Sequence, residues 1–527
     1  MAKNITSTTV DVPDEQNADS FKNKDTILTQ DNEKGLIDPT VPSVQMSKTK
    51  VLLVFVGLAL SILLAALDQT IVATALPKIA QDFDALGQIS WIGSAYLLTA
   101  TAFQPTYGKF SDIFGRKSTF LTAIILFEAG SLICGLAKNM NMLIVARAIA
   151  GLGGGGIFSL VLIIISEIVS IQDRGKYQGM IGGVFGISSV VGPLLGGAFT
   201  DHLTWRWAFY INLPLGAIAI IFVVAFLHLP HPEGSLVNKL KRIDWLGTFF
   251  IASSTVCVLL PLNWGGSTYE WDSPVIIVLF CVGGVGYIIF AYIEGWVSKE
   301  PLAPGRLFKD RTIAACFSVN FWQGMAFFSL TYFVPLFYQT VKGETATESG
   351  LALLPLILGV VFASISSGQL VSRTEAISYK VLCIFGAVLI TVGGGLISTL
   401  DENSNHGKQI GYLLITGVGV GAIMQTTLLA GQGIVEHKDV GSVTSLLTFF
   451  RTFGAVFGIA IFGTIFNNQM EKSNLSDDRI KVFVDALSLS FKFVIPVGIL
   501  CLISAFLMRN VKPILSDKKN ETEVLAL

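Results

Sequence analysis

The sequence predicts an all-α membrane protein with fourteen transmembrane helices, arranged as two six-helix halves with a two-helix insert between them. Hydrophobic residues make up 52% of the 527 residues and charged residues only 14%, and the mean hydropathy is +0.65. The apolar residues are also grouped into runs of about 20, the length that an α-helix needs to cross the hydrocarbon core of a bilayer. These two observations are typical of a chain that crosses a membrane many times.

Fourteen apolar runs follow one another along the chain. They cover residues 51–76, 89–108, 119–137, 142–169, 178–200, 206–228, 245–263, 274–297, 312–339, 349–371, 379–400, 409–430, 441–466 and 487–508. The ends of the second and tenth runs resemble each other, because each places a glycine, Gly108 or Gly368, before a polar turn with a basic residue. This weak repeat assigns residues 51–230 and 312–508 to two related halves, and residues 231–311 to the insert with its cytosolic linkers. Two related helical halves around a cleft are typical of secondary transporters.

The distribution of lysine and arginine predicts that both termini are cytosolic. Loops on the same side as the termini carry more basic residues than most of the opposite loops, which is the pattern of cytosolic loops. Residues 1–50 are polar and lack the apolar core of a signal peptide, so we expect a disordered cytosolic tail there and a second tail at residues 509–527. Asn474, in an Asn-Leu-Ser sequence, is a candidate glycosylation site in the last loop on the opposite side.

Several classes of protein are excluded by what the sequence lacks. A net charge of −1 offers no basic surface for nucleic acid. The six cysteines lie in apolar segments without a C-x-x-C pair and the five histidines do not cluster, so no metal site is predicted. Residues 151–156 fit G-x-G-x-x-G, but no strand precedes them, and no ATP-binding P-loop motif occurs. We therefore expect no enzyme activity and no bound cofactor.

The first apolar run contains an acidic residue, Asp68, about 12 Å from its outer end at 1.5 Å per residue. An ionisable residue within the bilayer is energetically unfavourable and indicates a functional site. We expect Asp68 to bind and release a proton as the site opens alternately to each side. Arg147, in the fourth run, lies at a height from which it could reach Asp68. The alternatives are a permanent structural pair and an arginine that only extends to the outer interface.

Residues 108–118, GKFSDIFGRKS, are predicted to form a loop that closes the cytosolic side in one conformational state. Gly108 lies at the membrane edge, and Asp112 is expected to cap the following helix and to pair with a basic group on a neighbouring helix. Gly115 and Arg116 complete this conformational latch. The alternative interpretation is a tight turn whose charges only fix the topology.

The segment 182–197, GGVFGISSVVGPLLGG, is rich in glycine although it lies inside an apolar run. Gly186, Gly192, Pro193, Gly196 and Gly197 are predicted to give a smooth, bent helix that serves as a hinge between the halves. The alternative is a small-residue packing face in a static bundle, and this segment alone does not distinguish the two.

A large amphipathic substrate requires a cavity with aromatic walls and a few polar groups. The candidates for such a wall are Gln69, Asn320, Trp322, Gln323, Tyr332, Gln425 and Arg451. Aromatic residues near the ends of spans are also typical of the interfacial belt. Arg451 is additionally interpreted as the counterpart of Arg147 in the second half, and Glu128 has no assigned role.

These motifs resemble those of the major facilitator superfamily, in particular of its fourteen-span drug:proton antiporter family. Residues 67–77, LDQTIVATALP, resemble the first-span signature, and residues 108–118 resemble the loop motif after span two. Arg147 with Gly151 resembles the span-four motif assigned to proton transfer, and residues 186–197 resemble the span-five motif of antiporters. Three further segments, at residues 263–271, 335–339 and 348–355, are similar to fungal toxin and multidrug efflux pumps.

The resemblance implies the major facilitator fold and an antiporter that exports drugs, toxins or secondary metabolites by alternating access, most often across the plasma membrane. The proton is the expected coupling ion, and a small organic substrate and the lipid bilayer are the expected partners of a monomer. A vacuolar basic amino acid transporter or a siderophore carrier of the same family is the alternative, because these carriers share the core motifs.

Overall fold

The computed structural model describes residues 46–85, 88–230, 232–266, 268–374, 377–472 and 479–511, and most of these residues are helical. The first half consists of α1 (Lys48–Phe83), α2 (Ile89–Phe114), α3 (Arg116–Gly135), α4 (Met140–Ile168), α5 (Ile171–His202), α6 (Trp207–Tyr210) and α7 (Asn212–Phe226). The insert and its linkers hold α8 (Leu236–Arg242), α9 (Trp245–Trp264), α10 (Pro274–Tyr292), a π-helical turn (Ile293–Val297) and α11 (Gly305–Lys309). The second half consists of α12 (Arg311–Thr340), α13 (Ala346–Leu351), α14 (Leu354–Arg373), α15 (Tyr379–Ile397), α16 (His406–Ile434), a 3₁₀ turn (His437–Asp439), α17 (Val440–Lys472), α18 (Arg479–Lys492) and α19 (Val494–Leu507).

Thirteen helical segments in the described part of the chain are long and apolar enough to cross a membrane. The one predicted span outside this set, 89–108, lies within α2, which is long enough but less apolar. Its polar residues Thr101, Gln104 and Thr106 are almost fully buried, so α2 turns a polar face toward the protein interior. The architecture is therefore all-helical and consistent with fourteen spans.

The connection between α2 and α3 is shorter than the predicted loop at residues 108–118. Helix α2 continues to Phe114 and α3 begins at Arg116, so Gly115 alone separates the two helices. Its φ of 96° lies in the left-handed region that glycine adopts without strain. Asp112 consequently lies in the last turn of α2 and does not cap α3, whose N-cap residue is Gly115 and has no side chain. The expectation that Asp112 caps the following helix was wrong.

The two halves approach most closely at the end of the bundle where α1 begins and α19 ends, which we call the tail side. Helix α2 packs against α17, and α5 packs against α14. A Cβ atom placed on Gly108 would lie 2.5 Å from the carbonyl oxygen of Gly441, and one on Gly175 would lie 2.6 Å from the Cα of Gly368. Only glycine allows backbones to approach in this way. In this state the bundle is closed at the tail side.

The insert lies at the junction of the two halves. Helices α9 and α10 pack against each other, and α9 also contacts α2 of the first half and α17 of the second. Many side chains of α10 are exposed, among them Ile277, Val285 and Ile288, as expected of a helix that faces lipid.

Candidate functional site

The structure brings Asp68 and Arg147 together in a buried ion pair. The Nη1 atom of Arg147 lies 2.5 Å from Oδ2 of Asp68, and the two side chains are 2% and 0% exposed. Arg147 is therefore fully enclosed and does not extend to the outer interface. Removing one partner of such a pair would leave the other charge buried and unpaired, which typically costs about 3–5 kcal/mol.

Other groups from three helices hold this ion pair in place. The Nε of Arg147 donates to the backbone carbonyl of Ile92 at 2.9 Å, and its guanidinium lies 4.5 Å from the ring centre of Tyr96. The amide of Asn212 donates to Oδ1 of Asp68 and to the hydroxyl of Ser131, each at 3.2 Å. These contacts fix the geometry of a charge pair that could open when Asp68 is protonated.

A second carboxylate, Glu128, lies close to this network on α3. It is one helical turn from Ser131, and its side chain packs against Gly216 of α7. Both carboxylate oxygens are buried and accept no hydrogen bond from the described residues. The structure thus places Glu128 beside the ion pair, but assigns it no partner.

A cavity of about 140 Å³ lies in the centre of the bundle between the two halves. Gln69, Gln425 and Arg451, three of the predicted substrate residues, line its wall. The other polar contributions come from Tyr96, Gln104, Gln178, Thr448 and Thr452, and the remainder is aliphatic, aromatic or glycine. Among the described residues that line the cavity, Arg451 is the only one with a charged side chain, and none is Asp, Glu, Lys or His.

The proton-binding candidate and the cavity share a wall. Asp68 precedes Gln69 in α1, and consecutive helical residues point in directions about 100° apart. Asp68 therefore faces Arg147 while Gln69 lines the cavity. Tyr96 contacts both, because its ring covers Arg147 and also lines the cavity.

A chain of glutamine side chains closes the cavity toward the tail side. Nε2 of Gln425 donates to Gln178 at 2.9 Å, Nε2 of Gln178 donates to Gln432 at 3.2 Å, and Nε2 of Gln432 donates to Thr444 at 3.1 Å. Gln178 belongs to α5 and its two glutamine partners to α16, so the first two of these hydrogen bonds join the two halves. They can exist only while the tail side is closed.

A second cavity, of about 560 Å³, lies between the central cavity and the side opposite the tails. Leu97, Val456 and Ile459 line both cavities and so form the partition between them. Tyr332 lines this outer cavity rather than the central one. The partition is made of three apolar side chains, whereas the tail side is closed by the glutamine chain and by close approaches of helix backbones.

The other three residues proposed for the substrate wall line neither cavity. Asn320 donates to the carbonyl oxygen of Cys316 at 2.8 Å, within α12. Trp322 packs edge to face on Phe321, with ring centres 5.0 Å apart. Gln323 is fully buried in the second half.

The latch residues form a partly buried cluster at the tail side. Arg116 forms an ion pair with Asp112, and its Nε donates to Glu167 at 2.6 Å. Gly441 of the second half lies against this cluster, since a Cβ there would lie 3.2 Å from Oδ1 of Asp112 and 3.4 Å from Nη1 of Arg116. The cluster thus joins α2, α3 and α4 and contacts the opposite half.

The glycines of the predicted hinge have different surroundings. A Cβ on Gly192 would lie 2.8 Å from Cβ of Thr70, and one on Gly196 would also meet α1. Gly186 instead faces Ile357 of the second half, and Gly197 has no neighbour within 4 Å. Helix α5 continues through Pro193. The segment is therefore a close-packed face toward both α1 and α14.

Ion pairs attach the linkers of the insert to the tail side. Glu300 accepts from Nε of Arg242 at 2.6 Å and lies 3.2 Å from Lys109 of α2. The hydrogen bond from Arg242 is the main reason why the pKa of Glu300 is below its ordinary value. Arg306 forms a two-point contact with Asp439 at the start of α17, at 2.9 and 2.7 Å. The glycosylation candidate Asn474 lies outside the described residues.

Sequence analysis did not predict the roles of five residues of this site. They are Tyr96, Asn212, Gln178, Gln432 and Gly441. Asn212 and the glutamines carry a weak signal, because each is a neutral polar residue in an apolar segment. Glu167, near the end of α4, is ionisable and close to the membrane interface in the sequence, but it is only 9% exposed and accepts a hydrogen bond from Arg116.

Comparisons with known proteins agree with this architecture. The family model described as Major Facilitator Superfamily matches residues 58–459. An MFS-type efflux pump, MFS1 of Arthroderma benhamiae, is 43% identical over 429 residues, which cover 80% of this chain and 79% of that protein. The efflux pump roqT of Penicillium rubens is 40% identical over 435 residues, covering 81% and 80%.

The fold also matches a solved structure. The crystal structure of the human organic anion transporter MFSD10 superimposes with a TM-score of 0.61 at 14% sequence identity. The match covers 87% of this chain and 99% of that chain, so it shows a shared fold. From the family model and the similarity to the two fungal proteins, the chain belongs to the Major Facilitator Superfamily.

Proposed function

We propose that the chain is a proton-coupled antiporter that exports organic compounds such as drugs, toxins or secondary metabolites by alternating access. The names of its relatives, which describe efflux pumps, support export as the direction. The observation that carries the proposal is the buried Asp68–Arg147 pair, which shares Tyr96 with a cavity between the two halves. A protonatable group and a substrate site that share a wall are the minimum that coupled exchange requires.

In this mechanism, protonation of Asp68 removes the charge that holds Arg147. The guanidinium then relies on the carbonyl of Ile92 and the ring of Tyr96, so Tyr96 can move and change the shape of the cavity wall. Substrate in the cavity would favour the opposite position of the same side chain. The contact of the latch cluster with Gly441 and the glutamine hydrogen bonds between the halves form in the tail-side-closed state and break in the other state.

We place both termini in the cytosol and the protein in the plasma membrane. In that orientation the described state is closed to the cytosol, and substrate leaves through the partition of Leu97, Val456 and Ile459 into the outer cavity. The chain would work as a monomer without a bound cofactor and without enzyme activity. A carrier of basic amino acids would be expected to offer an acidic group to its substrate, whereas the central cavity is lined by Arg451 and no acid.

The test uses protein reconstituted in vesicles with a panel of fluorescent organic compounds. We expect Asp68→Asn to abolish uptake driven by a pH gradient while substrate counterflow, which needs no net proton movement, continues. Asp485→Asn, which removes an exposed acid of α18, should leave both activities unchanged. Retention of gradient-driven uptake by a folded Asp68→Asn protein would refute proton coupling through Asp68.

A further inference from the structure

Arg451 is half-buried and, unlike the other described arginines that are not exposed, has no partner. Arg174 and Arg206 donate to backbone carbonyls. Arg147 is paired with Asp68, and Arg116 with Asp112 and Glu167. The guanidinium of Arg451 forms no ion pair and no hydrogen bond with the residues that the structure describes. A guanidinium retains its proton in proteins, so Arg451 carries its charge whether or not a partner is present.

Arg451 lies in the wall of the central cavity. It lines the central cavity from α17, as do Thr448 and Thr452, and the apolar side chains of Phe327 and Phe328 belong to the same wall. No residue of the cavity wall can neutralise it, because the wall contains no carboxylate. A cation without a counter-ion in a largely apolar cavity is unfavourable until an anion enters. The missing partner must therefore come from outside the protein.

We propose that Arg451 is the counter-ion for a negatively charged group on the exported compound, so that the central cavity selects apolar organic anions such as carboxylates or enolates. The amides of Gln69 and Gln425 each donate one N–H within the protein and keep a second for a polar atom of the substrate. The hydroxyls of Thr448 and Thr452 donate to backbone carbonyls of α17, so towards the substrate they can only accept. The apolar remainder of the wall accommodates its hydrocarbon body. This inference rests on the proposed function, because it takes the central cavity as the transport site.

The test compares three probes with the same naphthalene body and different charge: 1-naphthylacetate, 1-naphthylacetamide and 1-naphthylmethylamine. Binding to the full chain in lipid nanodiscs is measured by calorimetry. We expect the wild-type protein to bind the carboxylate at least about tenfold more tightly than the amide, as for a charge-assisted contact in a desolvated site. The amine should bind most weakly.

Two variants of Arg451 separate charge from shape. Arg451→Met should bring the affinities of carboxylate and amide to within about threefold of each other, whereas Arg451→Lys should keep part of the preference. Unchanged binding of the amide shows that the cavity of the variant is folded. Lys408→Met, at an exposed position outside both cavities, is the matched control. Equal or tighter binding of the amide or amine by the wild type, no binding of the carboxylate, or a preference that survives Arg451→Met would each overturn the proposal.

The binding measurements in nanodiscs, combined with the vesicle transport assay of the proposed function, distinguish failure of the anion site from failure of proton coupling. If a pH gradient drives transport of neutral compounds but binding is indifferent to charge, the anion site is wrong and antiport stands. If the carboxylate binds through Arg451 but no pH gradient drives its transport, the anion site stands and proton coupling is wrong.

Discussion

Gly108 is the position where a single methyl group should shift the conformational equilibrium. In the tail-side-closed state a Cβ at this position would lie 2.5 Å from the carbonyl oxygen of Gly441 and 2.7 Å from the hydroxyl of Ser445. Ordinary contacts begin at 3.4 Å, so in Gly108→Ala the backbones of α2 and α17 must separate by about 0.9 Å. Such overpacking typically costs about 1–3 kcal/mol. Because the clash exists only when the tail side is closed, we expect a population shift of about 5- to 150-fold toward the tail-side-open state.

The shift can be measured as a distance between the halves. Spin labels at Asp173 and Lys438, both exposed at the tail side on opposite halves, report this distance by double electron–electron resonance. Serine should replace the two accessible cysteines, Cys257 and Cys281. Gly108→Ala is expected to enlarge the long-distance population.

Gly93→Ala is the matched control, since it lies on the same helix and its Cβ would meet nothing within 4 Å. The reasoning is refuted if Gly108→Ala leaves the distance distribution unchanged. It is equally refuted if Gly93→Ala changes the distribution as much, because the effect would then not arise from the contact with Gly441.

Three further predictions follow from the site. Gly196→Ala should lower the free energy of unfolding in detergent by about 1–3 kcal/mol, because its Cβ would meet α1. Gly197→Ala, whose Cβ would meet no described atom within 4 Å, should leave this free energy unchanged. Arg242 stabilises Glu300 as a carboxylate. The contribution of Glu300 to the stability of the folded protein is therefore present above the ordinary pKa of Glu and is lost as the pH falls through the lowered pKa of Glu300. Thermal stability measured from pH 6 to pH 3 should therefore fall less in Glu300→Gln than in the wild type, and an equal fall would contradict this. Val456→Trp should thicken the partition between the cavities and slow release of bound substrate by at least about tenfold in stopped-flow measurements, without lowering equilibrium affinity by the same factor.

The sequence predicted the helices well because bilayer thickness sets the length of an apolar run. It predicted the ends less well, as α2 shows. The apolar run stops at Gly108, but the helix continues through Lys109, Ser111 and Asp112 to Phe114. Hydropathy follows the edge of the hydrocarbon, whereas the helix ends where Gly115 changes the direction of the backbone.

Residues of the site were predictable to the extent that a charge inside a membrane is rare. Asp68 and Arg147 stand out in the sequence for this reason, and the structure places them in contact. Gln178 and Gln425 are neutral, and their contact joins residues 247 positions apart, so no local pattern reveals it. The face of α12 was equally hidden: most of this helix is buried, so nothing in its sequence shows that Gln323 points away from the cavity.

The position of Tyr96 explains how a proton and a substrate could act on each other without touching. Its ring lies against Arg147 on one side and lines the central cavity on the other, so a change in the Asp68–Arg147 pair alters the wall that the substrate meets. Coupling of this kind is reciprocal: the factor by which protonation changes substrate affinity equals the factor by which substrate changes proton affinity. Tyr96→Phe retains the ring that lies against Arg147, so it should preserve the coupling. Tyr96→Ala should reduce it, because it removes a side chain that contacts both the guanidinium and the cavity.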